Sequence, residues 1–335
     1  MKFSLRLNND LLPSQYVTLA QAAEDAGFDQ FWVSNDLFLR SDIPILTQVA
    51  LRTERIHVGT GILNPYTIHP AEMAMLAATM DEICGNRFLL GIAAGAADFL
   101  NWVGIEQERP LAAVRETILA VRGLLRGEQV ALDGKFLRWN DEAYLRFAPP
   151  RVTPIYVGAM GPKMLALSGE LADGVLPLLF PPEHYFGVRP HIDAGIAQRA
   201  DDLDRLDLAA CIWVSLSEDK AAARRVLAQK VAYYGHALGE LIYRQLGVDR
   251  EEFRPIEHAL QVERNEEKAI ALVDDRMLRI GVVGGPEDVI ARLEPLVAAG
   301  VDHLSFGPPL GPDPLAAVKL LEKVISHFRF KLFLT

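Results

Sequence analysis

The sequence predicts an α/β protein: a (β/α)8 TIM barrel with a hairpin insertion before its fifth strand and a helical insertion between its seventh and eighth. Three observations predict it. Short apolar runs alternate with longer segments of helical period, the pattern of parallel strands joined by crossover helices. Eight such runs are present, the number that closes a barrel. Glycines at 27 and 300 each stand between a helical segment and the next apolar run, marking one rim of the scaffold.

In chain order the predicted strands are Lys2–Leu7, Gln30–Ser34, Ile56–Gly61, Arg87–Ala93, Pro154–Gly158, Gly174–Leu179, Asp207–Ser215 and His303–Gly307. Leu19–Ala26 and Val289–Ala299 are the helical segments that Gly27 and Gly300 end. Pro70-Ala71-Glu72 and Pro286-Glu287-Asp288 place a proline in a first helical turn with acids behind it. Proline's fixed φ suits that position, and the positive end of the helix dipole suits the acids. Glu128–Phe147 carries Asp133-Gly134 between alternating residues, a hairpin signal. Glu218–Ile280 is charged and helical in period with no strand, so it reads as an insertion that shapes a mouth or an interface. No linker rich in Gly, Ser or Pro divides the chain, and residues 1–335 read as one domain. The ending Phe328–Leu334 is apolar for a terminus and either packs on a neighbour or is disordered.

Composition narrows the function classes. Half of the 335 residues are hydrophobic and 23% are charged, which supports a large core and excludes wholesale disorder. The formal net charge of −10 disfavours nucleic acid and anionic membrane as partners. Cys84 and Cys211, far apart and in apolar company, provide neither a disulfide framework nor a cysteine metal cluster. The N-terminus reaches Asn8-Asn9-Asp10 too soon for a signal peptide, and Phe88–Ala97 is about half of a membrane span. The expectation is a cytoplasmic, soluble protein that acts on a small molecule.

In such a barrel the site lies where the strands end, so the informative residues follow each strand. These are Ser34-Asn35-Asp36-Leu37, then Thr60 to Tyr66, then Ala94-Gly95-Ala96-Ala97, then Gly158 to Lys163. Small residues at several of these places let backbone approach a flat ring. Gly158–Lys163 opens a helix whose N–H groups, with the Lys163 ammonium, suit a phosphate. Its alternative reading is a tight turn with a solvated lysine. Asp36 either accepts a hydrogen bond from a ligand or caps the next helix. His69 is a capping or rim residue. Tyr66, Trp102 and Met160 line an apolar wall or pack in the core. No histidine pair at metal-binding spacing, Gly-x-Ser-x-Gly elbow or Gly-Lys-Ser/Thr loop is present, so no metal site is expected. A cavity without nucleophile or metal must borrow its reactivity, and redox cofactors commonly supply it.

Ala26-Gly27-Phe28-Asp29 leading to Trp32-Val33-Ser34-Asn35-Asp36, Arg55 to Ile62, Asn64-Pro65-Tyr66-Thr67-Ile68-His69-Pro70, Gly85 to Gly91, Ile155 to Gly158 and Gly300-Val301-Asp302 together carry a resemblance. The chain resembles the bacterial luciferase-like superfamily of flavin- and deazaflavin-dependent oxidoreductases. The Asn-Pro-Tyr-Thr-x-His-Pro stretch is most similar to the branch of the methylenetetrahydromethanopterin reductases, which use coenzyme F420. The resemblance implies a non-proline cis peptide at Gly61–Ile62 behind the cofactor ring. It implies Asp36, Asn64, Ala94 and Gly95 beside the deazaflavin, and Met160, Gly161 and Lys163 on its phosphate. Asp36 is the one catalytic candidate. Leu37, Tyr66 and Trp102, with the helical insertion, would form an apolar substrate mouth. Family dimers imply a homodimer.

Departures are equally specific. Leu37 stands where many members have a proton-handling histidine, Ala96 where the sugar-phosphate dehydrogenases have glutamate and the reductases aspartate, and Arg6 near a first-strand acid of the reductases. Neither substrate transfers on this reading, while hydride exchange does. The alternatives are an FMN-dependent monooxygenase, a non-catalytic flavin- or deazaflavin-binding protein, and a barrel for a phosphorylated metabolite.

Overall fold

A computed structural model describes residues 1–331. Eight parallel barrel strands are present: β1 (Lys2–Leu7), β2 (Gln30–Val33), β3 (His57–Thr60), β4 (Phe88–Ile92), β5 (Ile155–Gly158), β6 (Gly174–Leu176), β7 and β8 (His303–Leu310). The predicted seventh strand is two segments, Asp207–Leu208 and Ala210–Leu216. The first segment pairs with β6 and the second with β8, so the sheet closes on itself through this one stretch of chain. β8 in turn pairs with β1. The predicted bounds overshoot at several strand ends because residues such as Ser34 and Gly61 already turn into the rim.

The two predicted proline starts and the two predicted glycine junctions are present. Pro70–Cys84 and Pro286–Ala298 start on their prolines, and Gly27 and Gly300 adopt left-handed φ of 87° and 98°. That conformation reverses the chain into the next strand and costs a side-chain-bearing residue more than glycine. The Asp133-Gly134 hairpin pairs Leu132–Asp133 with Arg138–Trp139. The Glu116 carboxylate accepts the N–H groups of Lys135, Phe136 and Leu137, which ties the hairpin to the helix Pro110–Leu125.

The insertion is helical as expected, with Lys220–Tyr234 as its longest helix. It is followed by a short strand that the sequence reading missed, Val282–Gly284, paired with Val214–Leu216. Three residues give no usable period. The insertion has its own buried cluster, including Leu227, Val231, Leu246, Phe253 and Ile256, and Phe180 of the barrel belongs to it. The apolar ending continues the helix Pro314–Lys331, with Phe328 buried and Phe330 72% exposed. The last part of that stretch, 332–334, lies outside the described residues.

Inside the barrel, below the rim, a polar network replaces part of the apolar filling. Asp207 Oδ2 accepts from Lys2 Nζ at 2.8 Å, Tyr156 Oη at 2.6 Å and Gln30 Nε2 at 3.3 Å. Its Oδ1 lies 2.8 Å from His303 Nδ1, and His303 Nε2 lies 2.9 Å from Ser4 Oγ. Trp32 donates its indole N–H to Gln30, and its ring lies over Gly59, where a Cβ would come within 2.4 Å.

Candidate active site

At the end of β3 the backbone breaks away from the ladder. Gly61 N–H still reaches Val33 O, and the Gly61–Ile62 peptide is cis. Leu63 rejoins β4 by donating to Gly91 O at 2.8 Å and accepting from Ala93 N at 3.0 Å. Gly91 is required here, because a Cβ would stand 1.9 Å from Thr60 O. The Ile62 side chain is thereby set beside Ala93 and Gly158. A Cβ on Gly158 would meet Ala93 Cβ at 3.1 Å and Ile62 Cγ2 at 3.4 Å. β3, β4 and β5 therefore end in a floor of small groups and one isoleucine.

The loop after β4 is exposed at Gly95, Ala96 and Ala97, and Gln107 Nε2 donates to Ala94 O and Gly95 O. Gln107 was not a predicted site residue; its role follows only from how the loop folds back. Asn64 is buried, and its Oδ1 accepts from Tyr66 N, Thr67 N and Thr67 Oγ1. Its Nδ2 faces Gly95, where a Cβ would stand 3.1 Å away. Gly95 has φ 76°, so glycine serves both the turn and this close approach.

Gly161 caps the helix Pro162–Leu171, whose first turn carries no acid, and a Cβ built on Gly161 meets nothing within 4 Å. Met160 is 51% exposed and Lys163 is exposed. Unpaired amides at a helix start, open space and a nearby ammonium are the donor set that a phosphate needs. A cavity of about 530 Å³ adjoins this corner, bordered by Arg109, Lys135 and Lys163. The residues present fit a phosphorylated, flat-ringed cofactor.

Asp36 does not cap a helix. The next helix, Asp42–Ala50, begins after Ser41, while the Asp36 main chain is held by Asn9 from the loop after β1. Burial, with the charge of Asp10, raises the Asp36 carboxyl above its ordinary pKa, against the pull of Lys230. Asn35 donates to Asp42, and burial pushes the Asp42 carboxyl up to about 6. His69 does cap its helix, accepting from Ala71 N, and stacks on Trp139.

The predicted mouth is only partly assembled as expected. Trp102, 67% exposed, meets Phe38 at 6.0 Å between ring centroids, so an aromatic pair joins the loops after β2 and β4 next to Leu37. Tyr66 instead donates to Glu108 O and packs edge-on against Phe136 of the hairpin. Charged groups also border the rim. Arg6 donates to Ser305 Oγ at 3.0 Å, in space kept open by Gly307. Lys230, from the insertion helix, holds its ammonium 4.5 Å from the Trp213 ring centroid and 5.0 Å from that of Tyr234. Lys230, Tyr234 and Asp10 border a cavity of about 330 Å³ with Pro308 and Pro309. Burial, with the charge of Arg6, lowers Lys230 to a pKa of about 8 despite Asp10 and Asp36. Sequence reasoning missed Lys230, since one lysine in a charged helix carries no signal of its own.

A parallel β/α barrel open at its strand ends is an enzyme-type scaffold, and comparison with known proteins gives its family. The chain belongs to the luciferase-like monooxygenase family, whose model matches residues 8–303. It is 34% identical over 329 residues to a 5,10-methylenetetrahydromethanopterin reductase of Archaeoglobus fulgidus, covering 97% of this chain and 98% of that protein. It is 27% identical to an F420-dependent glucose-6-phosphate dehydrogenase of Nakamurella multipartita, covering 95% and 93%. The structure of the F420-dependent tetrahydromethanopterin reductase of Methanopyrus kandleri superposes with a TM-score of 0.90 at 30% identity, covering 98% and 99%. The chain is an enzyme of the F420 branch of this family. Among the described residues, no helix is long and apolar enough to cross a membrane, and no cluster of three His, Cys, Asp or Glu side chains suits a metal ion.

Proposed function

We propose that this protein binds coenzyme F420 at the ends of β2 to β5 and exchanges a hydride between it and a small organic substrate. The observation that carries the reading is the juxtaposition of the Ile62, Ala93 and Gly158 floor with the acid-free helix start at Gly161–Lys163. The cofactor supplies the hydride chemistry when bound. The chain's own residues hold it. Ile62 would support the ring from behind. Asp36, Asn64, Ala94 and Gly95 would border the ring and its side chain, and Met160, Gly161 and Lys163 would receive the phosphate. Phe38 and Trp102 would cover the mouth beside Leu37 and exclude water from the transfer. Hydride transfer depends on stacking and alignment of donor and acceptor, which fixed walls provide.

Fluorescence titration of the apoprotein with F420 and with FMN tests this reading. Saturable binding of F420, tighter than that of FMN, is expected. Lys163→Ala should weaken F420 binding about tenfold, the loss of roughly 1.4 kcal/mol expected for a charge-assisted contact at a partly solvated site. Tighter binding of FMN would return the monooxygenase reading, and binding of neither would refute the proposal. Apolar side chains left exposed on neighbouring surface helices, Leu51, Met75 and Leu119, support a homodimer, which sedimentation would test. Phe180, shared between barrel and insertion, supports one cooperative unit, for which calorimetry should give a single transition.

A further inference from the structure

Leu37 and Ala96, where the family resemblance would place proton-handling residues, cannot exchange protons, yet the rim holds an ionisable cluster. Arg6 comes from β1, Asp10 from the loop after it, Asp36 from the loop after β2 and Lys230 from the insertion. The faces of Trp213 and Tyr234 fix the Lys230 ammonium by cation–π contact, leaving its N–H bonds free of protein acceptors among the described residues. No ion pair locks it to Asp10 or Asp36, and it borders a cavity large enough for a small ligand.

We propose that Lys230 is the residue that donates the proton when this enzyme delivers a hydride to a C=O or C=N double bond. This rests on the F420 reading above. In the reduction, one Lys230 N–H bond breaks and its proton goes to the substrate oxygen or nitrogen. The substrate carbon receives the hydride, so two electrons pass from the reduced cofactor to the substrate, and a hydroxyl or amine forms. The Lys230 amine then regains a proton from water. In the reverse direction the amine takes that proton.

Burial and the Arg6 charge ease loss of the Lys230 proton, while Asp10 and Asp36 oppose it; Tyr234 lies against it and Tyr233 borders the same cavity. The balance keeps both protonation states accessible around neutrality, as an acid–base group requires.

The first test is acetic anhydride labelling of the F420-loaded protein across pH, read at Lys230 by peptide mass spectrometry. Half-maximal labelling near pH 8 is expected, against ~10.4 for an ordinary lysine. An ordinary midpoint, or complete shielding of Lys230 by F420 alone, would overturn the proposal. The second test follows oxidation of reduced F420 with acetone, acetaldehyde and a cyclic imine as probes. Lys230→Met should lose at least ~100-fold in kcat/KM with unchanged F420 affinity, and Lys230→Arg should not restore it. Full activity in Lys230→Met, rescue by Lys230→Arg, or wild-type inactivity with every probe would each refute it. Failure of the wild type to bind F420 would instead sink the reading on which it rests, leaving the labelling of the apoprotein to report on Lys230 itself.

Discussion

Replacing Asp207 isolates the contribution of the polar network inside the barrel. Its carboxylate receives hydrogen bonds from Lys2, Tyr156 and Gln30 on one oxygen and faces His303 on the other. Burial alone would raise this carboxyl, but His303 and Lys2 outweigh it and hold it well below the usual range. Asp207→Ala leaves several buried polar groups without their acceptor and should cost about 3–5 kcal/mol. Asp207→Asn keeps one oxygen for Lys2, Tyr156 and Gln30, and its amide can face a His303 ring in the other tautomer. It loses only charge assistance, about 1–2 kcal/mol.

The pH dependence has a definite sign. With the folded value depressed, the stabilisation is complete above the unfolded value of ~3.9 and is lost as pH falls through the folded value. Urea unfolding from pH 7 downwards should therefore show the wild type losing its advantage over Asp207→Asn below about pH 4. A gap independent of pH, or an alanine variant within about 1 kcal/mol of wild type, would refute the assignment.

Other perturbations have equally direct readouts. Gly91→Ala drives a Cβ to 1.9 Å from a main-chain oxygen that cannot rotate away, and should lower stability by about 3 kcal/mol with loss of F420 binding; an unchanged melting temperature would contradict this. The raised Asp42 carboxyl penalises the fold as pH rises from ~3.9 to about 6, so Asp42→Asn should gain on the wild type by about 2 kcal/mol between pH 4 and 7 in urea unfolding. A gain that appeared on acidification would reverse the sign and refute it. Glu116→Ala should speed amide exchange at Lys135, Phe136 and Leu137 while leaving the strands protected, because one carboxylate serves all three. Uniform protection across the hairpin would show that the carboxylate is dispensable.

The barrel was legible because its signal is periodic and local. Apolar runs, first-turn prolines and junction glycines repeat around the scaffold, and each specifies its own short stretch. The strand-to-helix turn at Gly158–Lys163, where we propose the phosphate binds, was legible as a turn for the same reason, since a strand, a glycine turn and a helix start are contiguous. The groups that meet only after closure were not. Gln30 and Asp207, 177 residues apart, share a hydrogen bond inside the barrel. Gln107 and Lys230 take their meaning from the loops they land against. Asp36 failed the capping reading because the helix after it starts later than the local pattern suggests.

The insertion's apolar centre has one more consequence. Its helices can be resurfaced on their outer faces, but their inner faces are tied to the staves through Phe180, with Leu178 and Trp213 packed alongside. Substitutions on the outer faces can therefore drift freely, whereas a change in the length or tilt of these helices reaches the barrel beneath.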